Sequence, residues 1–129
     1  MLPPDDKKYL TDRGIDHSIV AEANMTCVIL RGFGLPPGFN QPRADLLLRI
    51  SPGYPDVPLD MWWFDPAVQF ADGSIIPATD VREPHIGRMW QRWSRHLQAE
   101  QWRAGIDGLE TFLALICTDL ERHVQGRPQ

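Results

Sequence analysis

Residues 89–102, which read MWQRWSRHLQAEQW, place a serine and a histidine among three tryptophans. A serine hydroxyl is a weak nucleophile unless a neighbouring base takes its proton. In an extended segment Ser94 and His96 share one side of the chain, with α-carbons roughly 6.6 Å apart at about 3.3 Å per residue. The pair is therefore a candidate nucleophile and base. An ordinary loop serine beside a surface histidine is the alternative interpretation.

The other unusual residues of this segment are aromatic and basic. Trp90, Trp93 and Trp102 are predicted to form a small cluster that holds the segment in one shape. Each buries on the order of 200 Å², which contributes about 5 kcal/mol before ordering costs. The local arginines form a basic patch that either attracts an acidic partner or is simply solvated; they are Arg88, Arg92, Arg95 and Arg103.

Composition indicates a globular protein with one domain over residues 1–129, because 43% of the residues are hydrophobic and 23% are charged. The net charge of −4 argues against a nucleic-acid partner. The two cysteines, Cys27 and Cys117, are too far apart for a disulfide framework or a zinc ribbon. Without an apolar leader or a long apolar stretch, we expect a reduced, cytoplasmic protein with no membrane partner, metal or cofactor.

Hydrophobic periodicity predicts an α+β fold. A helix is expected over about Asp5–Arg13, followed by a loop from Asp16 to Glu22 with room for another helical turn. Strands are predicted over 25–33, 43–50 and 59–64, the last with Leu59, Met61 and Trp63 on one face. Short turns between them imply an antiparallel meander of three to four strands.

The second half of the chain is predicted to be irregular before it ends in a helix. Prolines and glycines interrupt the pattern from Asp65 to Arg103, with one more short strand expected near Ser74 to Ile76. A helix over about Ala104–His123 is expected to pack on the sheet through one apolar stripe, formed by Ile106, Leu109, Leu113, Ile116 and Leu120. Cys117, beside this stripe, is expected to be a core or flank residue rather than a nucleophile.

This order of elements resembles the ubiquitin-conjugating (UBC) superfamily over roughly residues 5–124. Tyr54, Pro55 and Pro58 match its Tyr-Pro-x-x-Pro turn between adjacent strands, and Trp102 matches the tryptophan after its active-site loop. Eight positions before Trp102, the spacing of the family's catalytic cysteine, stands Ser94. The chain resembles in particular the bacterial conjugating-enzyme family E, found near activating-enzyme-like and JAB-type peptidase genes.

The resemblance implies a role for each of these residues. Ser94 would accept the C-terminal acyl group of a ubiquitin-like protein from an activating enzyme, as an oxyester in place of a thioester. Its base would be His96, or His85 near the place of the family's own histidine. Arg92 and Arg95 would orient a partner or offset oxyanion charge. The family's His-Pro-Asn is replaced by EPHIG at 83–87, so no residue is assigned to the oxyanion role of its asparagine.

Three functions are consistent with these residues. The first is a conjugating enzyme that acts through Ser94. The second is a non-catalytic, conjugating-enzyme-like adaptor that binds a ubiquitin-like protein or its activating enzyme. The third is a metal-dependent hydrolase that uses His85, His96 and either Asp80 or Glu83, although no HExxH or similar ligand spacing supports it.

Overall fold

The computed structural model describes residues 2–59, 61–95, 102–103 and 106–125. It is an α+β structure with one helix at each end of the described chain and a six-stranded antiparallel sheet between them. The elements are α1 (Pro4–Asp12), β1 (His17–Glu22), β2 (Met25–Gly34), β3 (Arg43–Ile50), β4 (Trp62–Asp65), β5 (Val81–His85), β6 (Arg88–Trp93) and α2 (Leu109–Val124). The strand order is β1-β2-β3-β4-β6-β5, so the predicted three to four strands are too few.

The sheet carries apolar residues on both of its faces. The main core lies between one face and the two helices, where Leu46 and Leu48 of β3 are fully buried with Leu10 of α1 and Ile116 of α2. A second cluster occupies the opposite face and consists of Cys27, Ile29, Leu47, Trp63 and Trp90. Residue 47 belongs to the second cluster because successive side chains of a strand point to opposite faces.

The predictions of α1, β2 and β3 are confirmed, and β3 has the predicted bounds of 43–50. The interpretation of residues 16–22 as a loop or helical turn is wrong, because His17–Glu22 form the edge strand β1. Each residue of this strand pairs with one of β2, from His17 opposite Leu30 to Glu22 opposite Met25. Pairing with an apolar neighbour therefore outweighs the weak local pattern.

The long irregular segment contains a hairpin. Ser74 to Ile76 form no strand, whereas β5 and β6 pair through a two-residue turn at Ile86 and Gly87. Both turn residues have positive φ, which is costly for a β-branched isoleucine, so the sequence lacks the usual Asn-Gly signal. Tertiary contacts compensate: the Ile86 N–H donates to Glu22 Oε2 at 2.7 Å, and the side chain packs against the second cluster.

The aromatic residues are arranged differently from the prediction. The regular strand β4 begins at Trp62 rather than Leu59, so Trp62 and Phe64 enter the main core while Trp63 enters the second cluster. Trp90 also lies in the second cluster, whereas Trp93 and Trp102 lie in the main core. The three tryptophans of 89–102 therefore do not form one cluster: positions 90 and 93 are an odd number apart on a strand and face opposite ways.

The C-terminal helix also departs from expectation at its start. Helix α2 begins at Leu109, and Ile106 precedes it with 69% of its surface exposed, so residue 106 is not part of the packed stripe. Phe112 takes a fully buried place instead. Cys117 lies on the exposed flank of α2, where partial burial of the sulfur and the charge of Glu121 raise the pKa of its thiol.

In the described part of the chain, no helix is long and apolar enough to cross a membrane.

A buried carboxylate joins three parts of the structure: α1, α2 and the turn at residues 54–58, called the proline-rich turn below. Asp6 is 7% exposed; its Oδ2 accepts from the Tyr54 hydroxyl at 2.5 Å and its Oδ1 from the Leu109 N–H at 3.1 Å. Burial and the contact with Asp6 raise the pKa of Tyr54 above its usual range, so the phenol stays a donor. A Cβ at Gly108 would lie 2.7 Å from Asp6 Oδ1, so a side chain at this position would displace the carboxylate.

Replacement of Asp6 by alanine is expected to lower the free energy of unfolding by about 3 kcal/mol, because two buried donors lose their acceptor. Asp6→Asn keeps one acceptor oxygen and should cost about half as much. Urea denaturation measures both changes. The control is Asp5→Ala in the same turn of α1, an exposed position where a change within about 0.5 kcal/mol is expected. Equal effects at positions 5 and 6 would contradict this role of the carboxylate.

Candidate functional site

Ser94 directly follows β6 and is half-buried. Its N–H donates to the Ala78 carbonyl at 3.0 Å, and its own carbonyl accepts from Arg95 Nη1 at 3.1 Å. Both backbone polar groups of residue 94 are thus bonded to other groups of the protein. The structure therefore fixes the backbone from which the Ser94 hydroxyl projects.

Arg95 connects the candidate nucleophile to α2. Its Nε donates to Asp119 Oδ2 at 3.2 Å and its Nη2 to His123 Nε2 at 2.9 Å. The guanidinium also lies over the Trp93 ring, 5.1 Å from its centroid. Because both acceptors belong to the last two turns of α2, the position of residues 94–95 depends on that helix. Each of the three guanidinium nitrogens of Arg95 makes a hydrogen bond, and Arg95 is a positioning residue in this arrangement.

His123 is a histidine near Ser94 that the sequence interpretation missed. Burial lowers its pKa, and the neighbouring charge of Arg95 adds to this effect while Asp119 opposes it. The ring is therefore neutral near pH 7, and its Nε2 lone pair accepts from Arg95. The sequence does hold a signal for this group, since Asp119 and His123 stand one helical turn apart.

His85 is not brought to Ser94. It lies opposite Arg88 in the β5–β6 ladder, and Arg88 precedes Ser94 by six residues, or about 20 Å along an extended strand. Its Nε2 is 3.1 Å from Glu83 Oε1 and its Nδ1 is 3.3 Å from Glu22 Oε1. The other candidate base, His96, lies outside the described residues.

The four arginines of the segment do not form a free basic patch. Arg92 Nη1 donates to Glu83 at 2.8 Å, and Arg88 bonds Asp65 and Asp45 on the same face of the sheet. Arg95 is held by Asp119 on α2, and the exposed Arg103 pairs with Asp107 at 3.4 Å. These side chains stabilise the structure, and none of the four adds an unpaired positive charge for a partner.

Glu83 accepts hydrogen bonds from several neighbouring side chains, one of which is Arg92. Burial acts to raise its pKa, but hydrogen bonds from Trp63, His85 and Arg92 outweigh burial, and the net pKa is lowered. Glu22 also has a lowered pKa, chiefly because of the Ile86 N–H. Although Glu22, Glu83 and His85 adjoin one another, no group of three His, Cys, Asp or Glu in the described ranges is arranged to hold a metal ion. The described residues give the metal-hydrolase interpretation no support.

Trp102, at the far end of the segment that starts at Ser94, contacts the proline-rich turn. Its indole N–H donates to the Pro55 carbonyl at 2.8 Å, and its ring lies 6.0 Å from that of Tyr54. Pro58, the last residue of the turn motif, is exposed.

A second tryptophan, Trp62, pairs with Trp93 across β4 and β6 and keeps a buried indole N–H without an acceptor among the described residues.

The lowered pKa of His123 has a measurable consequence. Between its usual value of 6.5 and the lower folded value, the unfolded chain binds more protons, so the free energy of unfolding should fall as pH drops from 7 towards 5. The lowered pKa values of Glu22 and Glu83 act only below about pH 4.5. Urea denaturation at several pH values should show a flatter slope for His123→Gln, with His17→Gln as the control. An unchanged slope in His123→Gln would contradict this assignment.

Comparison with known proteins identifies the family. The sequence model of prokaryotic E2 family E matches residues 2–123, nearly the whole chain, and confirms the resemblance inferred from Tyr54, Pro55, Pro58 and Trp102. Neither the curated proteins nor the solved structures give a significant match. Because the matched range includes every element from α1 to most of α2, the chain belongs to prokaryotic E2 family E.

Proposed function

We propose that this conjugating-enzyme-like protein works in a ubiquitin-like modification pathway with a UBC-like fold, and that Ser94 accepts the C-terminal acyl group of a ubiquitin-like protein. The observation that supports this most is the fixed backbone of Ser94, bonded to Ala78 on one side and Arg95 on the other. A nucleophile reacts efficiently when its position is set before the substrate arrives.

The proposed step is an acyl exchange. Ser94 Oγ forms a bond to the C-terminal carbonyl carbon while the bond from that carbon to the activating enzyme's thiol sulfur breaks. The hydroxyl proton passes to a base, and the departing thiolate takes up a proton. An amine then displaces Ser94 from the ester and restores the hydroxyl. His96 is the proposed base, because it is two residues away whereas His85 is about six residues along the ladder.

The proposed partners follow from the family. A conjugating-enzyme-like protein meets an activating enzyme and a ubiquitin-like protein, and a JAB-type peptidase is the proposed third component of the same pathway. The oxyester is more stable than the family's thioester and transfers more slowly to amines. This chain would therefore carry its modifier for longer.

The structure also favours a second function, that of a non-catalytic adaptor. His85, near the place of the family's histidine, has both ring nitrogens against carboxylates and is remote from Ser94. Arg95, the nearest cation, is likewise occupied by three acceptors. An adaptor would bind the same proteins without forming a covalent bond.

The two functions are separated by intact-protein mass spectrometry after incubation with activating enzyme, ubiquitin-like protein and ATP. We expect a gain of one modifier mass that survives thiol reductant, is removed by hydroxylamine and is lost in Ser94→Ala. Ser74→Ala, at an exposed loop serine, is the matched control and should still gain mass. If no variant gains mass while the activating enzyme is charged, Ser94 is not an acceptor and the adaptor function replaces the first.

The choice of base is tested in the same assay by rate. His96→Ala should slow adduct formation by about 100-fold, the usual contribution of a general base. His85→Ala is expected to leave the rate within about threefold, because its ring is far from Ser94. The reverse order of effects would show that His85 rather than His96 assists the serine.

A further inference from the structure

The sheet has two edge strands, β1 and β5, which differ in how their free edges are protected. A free edge presents unpaired backbone N–H and C=O groups, and proteins usually block it with lysine, proline, other charges or a bulge. Strand β5 contains Pro84, which has no N–H, together with the charged residues Arg82 and Glu83. Strand β1 contains no lysine, arginine or proline, and it pairs with β2 in an unbroken register. Its edge is therefore open to another strand.

Three residues of β1 turn their backbone polar groups to this open edge. The Arg31 N–H donates to the Asp16 carbonyl at 2.9 Å, so these two residues continue the β1–β2 register as a hydrogen-bonded pair. Along antiparallel strands such pairs alternate with pairs that are not hydrogen-bonded. His17, Ile19 and Ala21 consequently direct their N–H and C=O groups away from β2. None of these groups has a hydrogen-bond partner within the described ranges.

Ile19, the middle one of these residues, also has an exposed apolar side chain. Its surface is 41% exposed, although Val28, its neighbour across the ladder, is fully buried in the main core. Neighbours across a ladder point to the same face of the sheet. Ile19 therefore lies on the face that carries the helices, at a place that α1 and α2 leave partly open. A further strand beside β1 would cover it.

We propose that β1 pairs with β1 of a second copy of this chain, antiparallel and around a two-fold axis at Ile19. Ile19 then opposes Ile19 of the second copy, and His17 opposes its Ala21. All three outward residues take part, and each pair exchanges both of its N–H···O bonds. A two-fold contact needs only a surface that fits itself, and the two sheets join into one continuous sheet.

The axis is placed at Ile19 because the neighbouring positions fit less well. Residues that oppose each other must share a face, and at a free edge only outward residues can form the new hydrogen bonds. An axis at Val20 would oppose His17 to Ala23, which lies in the β1–β2 turn with a φ of 55° and cannot continue the ladder. Only the axis at Ile19 keeps all of the outward residues opposite extended residues of β1.

The charges at the ends of the paired strands are balanced within each chain. In the proposed register Asp16 opposes Glu22 of the second copy, and two facing carboxylates alone would repel each other. Asp16 Oδ1, however, is 3.2 Å from Arg31 Nη1, and Glu22 Oε1 is 3.5 Å from Arg49 Nη2. Each acid thus brings its own cation, so the repulsion between the two copies is reduced.

The test is sedimentation equilibrium of the full chain over a range of concentrations. The average mass should rise from that of one chain at about 10 µM towards that of two chains at about 1 mM. The dissociation constant should be on the order of 100 µM, because a short strand pair buries a small area typical of weak complexes. Ile19→Pro removes an outward N–H but no bond to β2, and should weaken the dimer by about tenfold or more.

A second variant guards against a folding defect in the first. Ile19→Lys places two like charges at the axis and should abolish the dimer. Val81→Lys, at a similarly exposed position of the other edge strand, is the control and should dimerise as the parent does. Urea denaturation identifies any variant that has lost its fold.

Hydrogen exchange of the parent chain locates the contact. The N–H groups of Ile19 and Ala21 should exchange several-fold more slowly at about 1 mM than at about 20 µM, concentrations on either side of the expected dissociation constant. Those of Ser18 and Val20, which already bond β2, should not change. The proposal is overturned if the parent stays monomeric at about 1 mM. It is also overturned if the dimer survives both Ile19 substitutions or is lost in Val81→Lys. Because no acyl transfer is measured, these outcomes are independent of the role of Ser94.

Discussion

The carboxylate of Asp6 is the interaction on which the arrangement of the site depends. A buried charge is tolerated only when its oxygens are hydrogen-bonded, and here each oxygen has a donor, from Tyr54 and from the first N–H of α2. The N-terminal end of a helix also favours a negative charge. Positions 6, 54 and 109 are distant in the sequence, so this one group joins α1, the proline-rich turn and α2 where they pack in the main core.

Helix α2 then helps to fix the chain at both Arg95 and Trp102, the two ends of the candidate segment. At the beginning of the helix, the contact between Asp6 and Tyr54 supports the turn whose Pro55 carbonyl receives the Trp102 indole. Near its end, Asp119 and His123 hold Arg95, the residue after Ser94. A change in the tilt of α2 would therefore move both ends of the segment together.

The sequence predicted those features that depend on local pattern. Helix α1 and strands β2 and β3 have strong periodicity, and the turn at Tyr54 and Pro55 with Trp102 identified the family. The hairpin of β5 and β6 was missed because its turn uses Ile86 in a left-handed conformation that is compensated by tertiary contacts, with Glu22 and with the second cluster. The hydrogen bonds of Asp6 and the contacts of α2 with Arg95 could not be predicted from the sequence either, because both join residues far apart in the chain. The Trp90–Trp93 spacing would have predicted that the two side chains face opposite ways if the segment had been recognised as a strand.

Electrostatics at the site act at short range. The arginines of 88–103 are each paired with an acid, and the chain has a net charge of −4, so an anionic partner gains little from long-range attraction. Recognition must then come from shape and from individual contacts at short range. Contacts of this kind select a partner through its dissociation rate rather than its association rate.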